Sequence, residues 1–483
     1  MEFEPVIGLE THVELHTKSK VFSTALAAFG GEPNSQVNEV CLGMPGTLPV
    51  LNETAMEMAL KVALALECEI PEITIFDRKH YYYPDLPKNY QISQEYAPLA
   101  RNGKLAIHLD NGQVKDIGIH NIHLEEDAGK NFHPTGRTAP ITLVDLNRAG
   151  TSLLEIVSQP DMDSREECEV FMKTMRSLLR YLDVSDCKMQ EGSLRFELNI
   201  SIRPKGSTEL GTKVEVKNVG SIKAVLRALD YEFERQREVL EDDGRIIQET
   251  RLWDDERGET RPMRSKEGAK DYRYFPEPDI PPVRLEREYL ERLRAELPEL
   301  QDAKRKRFME QYELPEYDAS ILVSDKHIAD YYEECCRLYQ SPKAPKAFSN
   351  WIMTYILREL RDEDSDINDL KVTPRHLAEL VQLIEEGAIN QNIAKKIYSD
   401  IVLSGKMPGE VVKEEGLEVV SDAGEIERYV QEVIAEHPVP AQEYREGKDK
   451  TLNFLLGQVM RKSKGKASPE LVMQLFNQKL RGE

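Results

Sequence analysis

No run of eighteen apolar residues occurs in this sequence, which excludes a helix long enough to span a bilayer. The opening residues, Met1-Glu2-Phe3-Glu4, have neither the basic start nor the apolar stretch of a secretory signal. Cysteine is scarce, with six scattered at 41, 68, 168, 187, 335 and 336. That scatter is no disulfide framework, and the expectation is a reduced, cytoplasmic protein without membrane attachment. No Cys-x-x-Cys pair occurs, and the adjacent Cys335 and Cys336 on one helix cannot both face one metal. The phosphate-binding loop G-x-x-x-x-G-K-[ST] is missing, so any ATP is held in some other way. A strand-linked G-x-G-x-x-G and a G-x-S-x-G elbow are missing too. Residue 2 is Glu, so there is no N-terminal cysteine nucleophile.

What is present is a globular composition: 40% hydrophobic and 31% charged residues over 483 positions, enough for about three domains. Sixty-four Lys and Arg against 86 Asp and Glu give a net charge of −22. A field of that sign repels nucleic acid at long range, so any such contact must come from a local basic segment.

The chain reads as α+β in three parts. Residues 1–283 are rich in short strands and turns. Pro276-Glu277-Pro278-Asp279-Ile280-Pro281-Pro282 holds four prolines in seven positions and marks a boundary. Residues 284–410 follow a helical pattern. Thr373-Pro374 opens one helix with Leu377, Leu380, Val381 and Ile384 at helical spacing, and Ile393, Ile397 and Ile401 mark another that ends near Gly405. Residues 411–483 form a small helical tail. In the front part Ser164-x-x-Glu167 caps one helix, and residues 221–240 form a second.

Three strands share one design. Ile7, Leu9, Thr11, Val13 and Leu15 alternate with Val6, Gly8, Glu10, His12 and Glu14. Leu194, Phe196, Leu198 and Ile200 alternate with Glu191, Ser193, Arg195, Glu197 and Asn199. Val214 and Val216 alternate with Lys213, Glu215 and Lys217. A solvated sheet face accounts for any one of them. Together they place carboxylates and an imidazole, donors suited to Mg²⁺ or Mn²⁺, beside cations of the kind that stabilise a transferring phosphoryl group. Glu125-Glu126-Asp127 follows a strand-like run, and one of the two glutamates faces the same site. Glu155 lies in the apolar run Leu153–Val157, where a carboxylate needs a partner, a metal or a proton. His120 and His123 read as structural. Phe76 to Gln94 carries five Tyr or His rings, two Lys, one Arg and two Pro in nineteen residues, a stiff polar-aromatic loop able to stack on a base or ribose.

These segments resemble the GatB family, the B subunits of the aspartyl/glutamyl-tRNA amidotransferases. The resemblance is carried by Val6–Leu15, Gly31-Glu32-Pro33-Asn34, Leu42-Gly43-Met44-Pro45-Gly46, Phe76–Gln94, Leu124–Lys130 and Val144–Arg148. It continues through Glu191–Arg195, Lys217-Asn218, Asp271–Asp279 and Phe454–Met460. It implies a cradle domain built like a glutamine synthetase core with a mainly antiparallel sheet, then an all-α domain and a YqeY-like tail. It implies ATP- and Mg²⁺-dependent phosphorylation of the side-chain carboxylate of Glu-tRNA(Gln) or Asp-tRNA(Asn), followed by amidation. The ammonia would come from an amidase partner, GatA, with a small third partner, GatC, completing a heterotrimer. On this resemblance Glu10, His12, Glu125 and Glu191 are expected metal ligands, with Glu126 and Glu155 as second choices. Lys79, Asp85 and Lys88 are expected catalytic residues at the substrate or ammonia end, and Arg195 is expected to neutralise charge on the phosphates.

Two departures stand out. Where many relatives carry four cysteines of a structural zinc site, this chain has Ser23, Ala25, Asn38 and Cys41, so no zinc is expected. The family's paired acid before Gly192-Ser193 is Gln190-Glu191, and its Cys-Asp-Ala after Arg195 is Phe196-Glu197-Leu198. Residues 441–483 carry nine Lys or Arg against five Asp or Glu, a local surplus of four. Arg461, Lys462, Lys464 and Lys466 are its densest group and the expected tRNA-backbone contact. Two other readings stay open here: a catalytically silent tRNA-binding scaffold, and a ligase acting on a free small molecule.

Overall fold

The computed structural model describes residues 2–134, 141–263, 272–360, 365–417, 423–463 and 467–482. The chain forms two compact units, Met1–Ala303 and Lys304–Glu483.

The first unit is built on one eight-stranded sheet. Its strands are β1 (Phe3–Glu14), β2 (Ala100–His108), β3 (Val114–Glu126), β4 (Ser152–Ser158), β5 (Leu194–Pro204), β6 (Val214–Lys217), β7 (Thr250–Asp254) and β8 (Glu259–Pro262). They lie in the order β8-β7-β6-β5-β1-β4-β3-β2, and every pairing is antiparallel except β6 with β7. Strict alternation fixes which side of each strand is buried. Ile7, Leu9, Val13, Leu154, Ile156, Leu194, Phe196, Leu198 and Ile200 are all at most 3% exposed and form one core. Against that face pack α1 (Arg165–Tyr181) and α2 (Ile222–Glu241), which contribute Phe171, Met172, Met175, Val225 and Leu229. Burying each such side chain stabilises the fold by roughly 1.5–3 kcal/mol. The helices start where Ser164 and Ser221 accept hydrogen bonds from the backbone N–H of Glu167 and Ala224. The opposite face of the sheet carries the polar alternates.

The 76–94 segment, expected as a loop, is a hairpin. Asp77–His80 pairs antiparallel with Tyr90–Ser93, and Phe275–Pro276 adds a third strand on its other side. Pro84 and Pro87 fall in the connection, which closes through Asn89 in the left-handed region at φ 61°. The proline-rich segment lies within the first unit. Ile280, Leu285 and Leu293 are buried in its core, so the chain remains attached past the prolines.

The second unit is helical. Phe308, Tyr332, Trp351, Leu377, Ile397 and Val411 belong to one of its cores. Ile426, Val430, Leu455, Val459 and Phe476 belong to another. Helices Pro374–Glu385 and Gln391–Ser404 begin and end where their caps direct, with Gly405 left-handed at φ 70°. Among the described residues no helix is long and apolar enough to cross a membrane, and the six cysteines are free thiols.

Candidate functional site

Strand register sets the centre of the polar face. His12 on β1 stands opposite Arg195 on β5 and Glu155 on β4, and Glu155 stands opposite His123 on β3. One row across four strands therefore reads Arg195, His12, Glu155, His123. Glu155 Oε2 lies 3.3 Å from His12 Nε2 and 3.0 Å from His123 Nε2. Glu125, two residues along from His123, shares its face, with Oε2 3.8 Å from His123 Nε2. Ser93 Oγ donates to that same Glu125 oxygen at 2.8 Å. His12, Glu125 and Glu155 offer ligand atoms that all lie within 4.8 Å of one another.

The charge state follows from this packing. Burial works against protonating His12, but the Glu155 carboxylate outweighs it and holds the imidazole up at about 9. His123 is raised for the same reason. Burial would raise Glu155, yet His123 and His12 hold it well below the usual carboxylate range. Both imidazoles thus contact the same Glu155 oxygen at the centre of the row. The residues present fit a divalent ion: two carboxylates and one imidazole form its donor set, and Nδ1 of both His12 and His123 is buried without a hydrogen-bond partner.

Two further groups flank this row along β1. Glu10 shares the face of His12 but is not part of that donor group. It meets Glu197 and Glu215 instead, within 4.8 Å. Lys217 Nζ donates to Glu197 at 2.6 Å and lies 2.9 Å from Glu215, and Asn199 Nδ2 donates to Glu10 at 2.9 Å. Burial, then the Glu155 charge, raises the Glu10 carboxyl. A cavity of about 270 Å³ opens here, lined by Gly8, Glu10, His120, Asn199 and Lys213.

At the other end stands Glu14, pushed up to about 7 by burial and then by Asp127. Burial opposes ionising Asp127, but Arg195 and Arg148 outweigh it and hold that carboxyl low. Arg195 Nη2 donates to Asp127 Oδ2 at 2.9 Å, and Arg148 Nε lies 3.5 Å from the same oxygen. A second cavity, about 310 Å³, is lined by Glu14, Lys130, Asp145, Arg148, Asp186 and Glu191. Glu191, expected as a ligand, sits here at a turn beside Gly192 (φ 88°), 3.0 Å from Lys188 Nζ, and not with the His12 group. It precedes the first strand residue, Leu194, so register does not place it in the row.

The hairpin supplies Lys79. Burial disfavours its ammonium, but Glu125 and Glu155 more than compensate and raise its pKa. Lys88 and Glu126, expected at the site, instead form an ion pair with each other. Glu126 also accepts the Ile92 N–H at 2.9 Å. Its strand neighbour Glu125 takes the site-facing position, so Glu126 points away and ties the hairpin to β3. Asp85 accepts from Asn131 Nδ2 at 2.9 Å. In the second unit Arg461 is exposed on helix Lys450–Lys462, and Lys462 pairs with Glu432 at 2.9 Å and Glu436 at 2.6 Å. Lys464 and Lys466 lie outside the described residues. Ser23 Oγ lies 3.2 Å from Cys41 Sγ, and Asn38 accepts the Cys41 N–H at 3.1 Å.

His123 and Asp127 are the residues that sequence reasoning left out of the site. The parity of β3 carries the signal for the first: His123 and Glu125 share one face. Asp127 follows the strand end and carries no such signal.

Comparison with known proteins gives a consistent family. The GatB/GatE catalytic domain model matches residues 5–291, and the GatB domain model matches residues 330–480. The B subunit of the aspartyl/glutamyl-tRNA(Asn/Gln) amidotransferase of Carboxydothermus hydrogenoformans is 52% identical, covering 99% of both chains. The protein of that name from Caldanaerobacter subterraneus subsp. tengcongensis is 50% identical over 99% of this chain and 100% of its own. That from Persephonella marina is 48% identical over the full length of both.

Proposed function

The chain belongs to the GatB family, and from that premise we propose that it phosphorylates the side-chain carboxylate of Glu-tRNA(Gln) or Asp-tRNA(Asn) and then amidates it. The observation that carries this reading is the row of His12, Glu155 and His123 with Glu125, flanked by Lys79 and Arg195.

A carboxylate is a poor electrophile, and phosphorylation supplies a leaving group. One carboxylate oxygen bonds to the γ-phosphorus of ATP as the bond to the ADP oxygen breaks. Ammonia then attacks the acyl carbon, inorganic phosphate leaves, and the nitrogen gives up a proton to leave the amide. His12, Glu125 and Glu155 would hold Mg²⁺, which supplies charge neutralisation at the phosphates when bound. Lys79 and Arg195 present fixed cations beside that centre and stabilise negative charge on the transferring group. Glu14, held near 7 beside Asp127, is placed to accept a proton at neutral pH. Of the two cavities along β1, each is large enough to take a part of one substrate.

Ammonia would be delivered by a glutaminase partner of the GatA type, with a small GatC-type partner completing a cytoplasmic heterotrimer. In the second unit the exposed Arg461 is a candidate contact for the tRNA backbone, and Lys462 pairs with two glutamates.

ADP release by the co-expressed complex tests this reading. The mixture holds Mg²⁺, ATP, ammonium and Glu-tRNA(Gln), with uncharged tRNA as control. The expected result is release that needs the glutamyl ester and is lost in His12→Ala. Release that ignores the ester, or survives His12→Ala, contradicts it.

A further inference from the structure

Arg78 and Lys79 are neighbours on one strand and so point to opposite sides of the hairpin. Lys79 faces the acids of the site, and Arg78 faces the segment that follows residue 271. There Arg78 makes a two-pronged contact with Glu277, Nε to Oε2 at 2.6 Å and Nη2 to Oε1 at 2.8 Å. The Glu277 side chain is fully buried, and Arg78 is 18% exposed. Nη2 also reaches Asp279 at 3.0 Å, and the guanidinium lies 4.3 Å from the Tyr90 ring centroid. A buried, forked pair of this kind fixes geometry as well as charge.

The segment it fastens is aromatic. His80 N–H donates to Tyr272 O at 2.8 Å, and Phe275 stands opposite Arg78 in the small sheet. Tyr272 thereby lies with its ring centroid 5.1 Å from Lys79 Nζ, and its ring also meets Tyr81 and Tyr274 edge-on. The Tyr272 ring thus bounds the ammonium, which Glu125 and Glu155 stabilise from the site. His80 and Tyr81 hold the backbone and one ring of that segment locally. The Arg78–Glu277 contact adds a charged anchor at the far end of that segment, across 199 residues of chain.

We propose that Arg78 and Glu277 are positioning residues whose ion pair holds the Tyr272–Tyr274 segment against Lys79 and so fixes its ammonium in the transfer site. This rests on the reading of Lys79 as part of that site. A misplacement of a charged group by about 1 Å costs on the order of a hundredfold in rate.

The test uses the full complex and two readouts. The first is acetylation of Lys79 by an amine-reactive ester, read by mass spectrometry against exposed Lys173. The second is steady-state ADP release with Glu-tRNA(Gln). In Arg78→Ala and Glu277→Gln, Lys79 acetylation rises several-fold. The kcat falls on the order of tenfold to a hundredfold with KM for ATP unchanged. Arg78→Lys, which retains the charge but not the fork, recovers part of both. Arg165→Ala, at a surface pair with Asp230, changes neither. The proposal is overturned if a folded Arg78→Ala, with the wild-type melting midpoint, labels Lys79 at the wild-type rate. It is equally overturned if Arg78→Lys does no better than Arg78→Ala. Should Arg78→Ala fail to fold, Glu277→Gln and Arg78→Lys decide by the same criteria. Labelling needs no turnover, so a wild-type complex that lacks ester-dependent ADP release contradicts the functional reading alone.

Discussion

Glu125 and Glu126 are adjacent, chemically identical and committed to opposite tasks. Glu125 lies 3.8 Å from His123 with Ser93 holding one oxygen, and Glu126 is buried in an ion pair with Lys88. Their variants therefore separate. Glu125→Gln removes a charged donor from the centre and lowers Mn²⁺ affinity by at least about tenfold, with little change in melting midpoint. Glu126→Gln leaves Lys88 buried without its countercharge, which destabilises the fold by about 3–5 kcal/mol, with Mn²⁺ affinity retained in the folded fraction. Mn²⁺ titration and denaturant unfolding read the two effects. The reverse assignment would mean that the strand parity is wrong. The sequence shows that one of this pair faces the site. Which one depends on where β3 begins, and a bulge between Ile119 and Asn121 shifts its register against β4. His123 was hidden for the same reason, since its role appears only when Glu155 is placed opposite it.

Among elements, the alternation of β1, β5 and β6 was legible because each strand buries one face completely, so period two is written in the residue types. The capped helices were legible because Ser164, Ser221 and Thr373 stand where orphan N–H groups need them. The hairpin at 77–93 was not legible. Its polar and aromatic residues pair through backbone hydrogen bonds and through a partner strand nearly 200 residues away. The link between α2 and the sheet edge is likewise non-local. Glu232 on α2 is fully enclosed by Arg235 at 2.8 Å, Arg251 at 3.1 Å and a hydrogen bond from Thr260. Burial opposes its ionisation, but Arg235 and Thr260 hold its carboxyl below the usual value. A lowered carboxyl stabilises the fold above the ordinary glutamate pKa, and that stabilisation is lost as pH falls through the folded-state value. Glu232→Gln should therefore lose stability at neutral pH by about 3–5 kcal/mol. The variant's deficit should shrink as the solution is acidified below about 4.3. Urea unfolding at pH 7 and pH 3.5 measures both; an equal deficit at the two pH values contradicts this account.

At the scale of the whole molecule, a chain of net charge −22 acts on a polyanion. The first unit manages this locally. Glu155, Asp127, Glu197 and Glu10 are matched by His12, Arg195, Lys217 and Asn199, which reduces the repulsion of phosphate that the average charge would give. The second unit contributes a helical surface with Arg461 exposed. On the proposed function, the polar face of the sheet moves a phosphoryl group onto a tRNA-linked carboxylate. Oxygen transfer tests it most directly. Glu-tRNA(Gln) labelled with ¹⁸O in the side-chain carboxylate is incubated with the complex, Mg²⁺, ATP and ammonium, and the inorganic phosphate is collected. An acyl phosphate displaced by ammonia must carry one carboxylate oxygen away with its phosphorus. One ¹⁸O is expected in each phosphate released with amide formation, and unlabelled phosphate alongside full amidation would rule out the acyl phosphate.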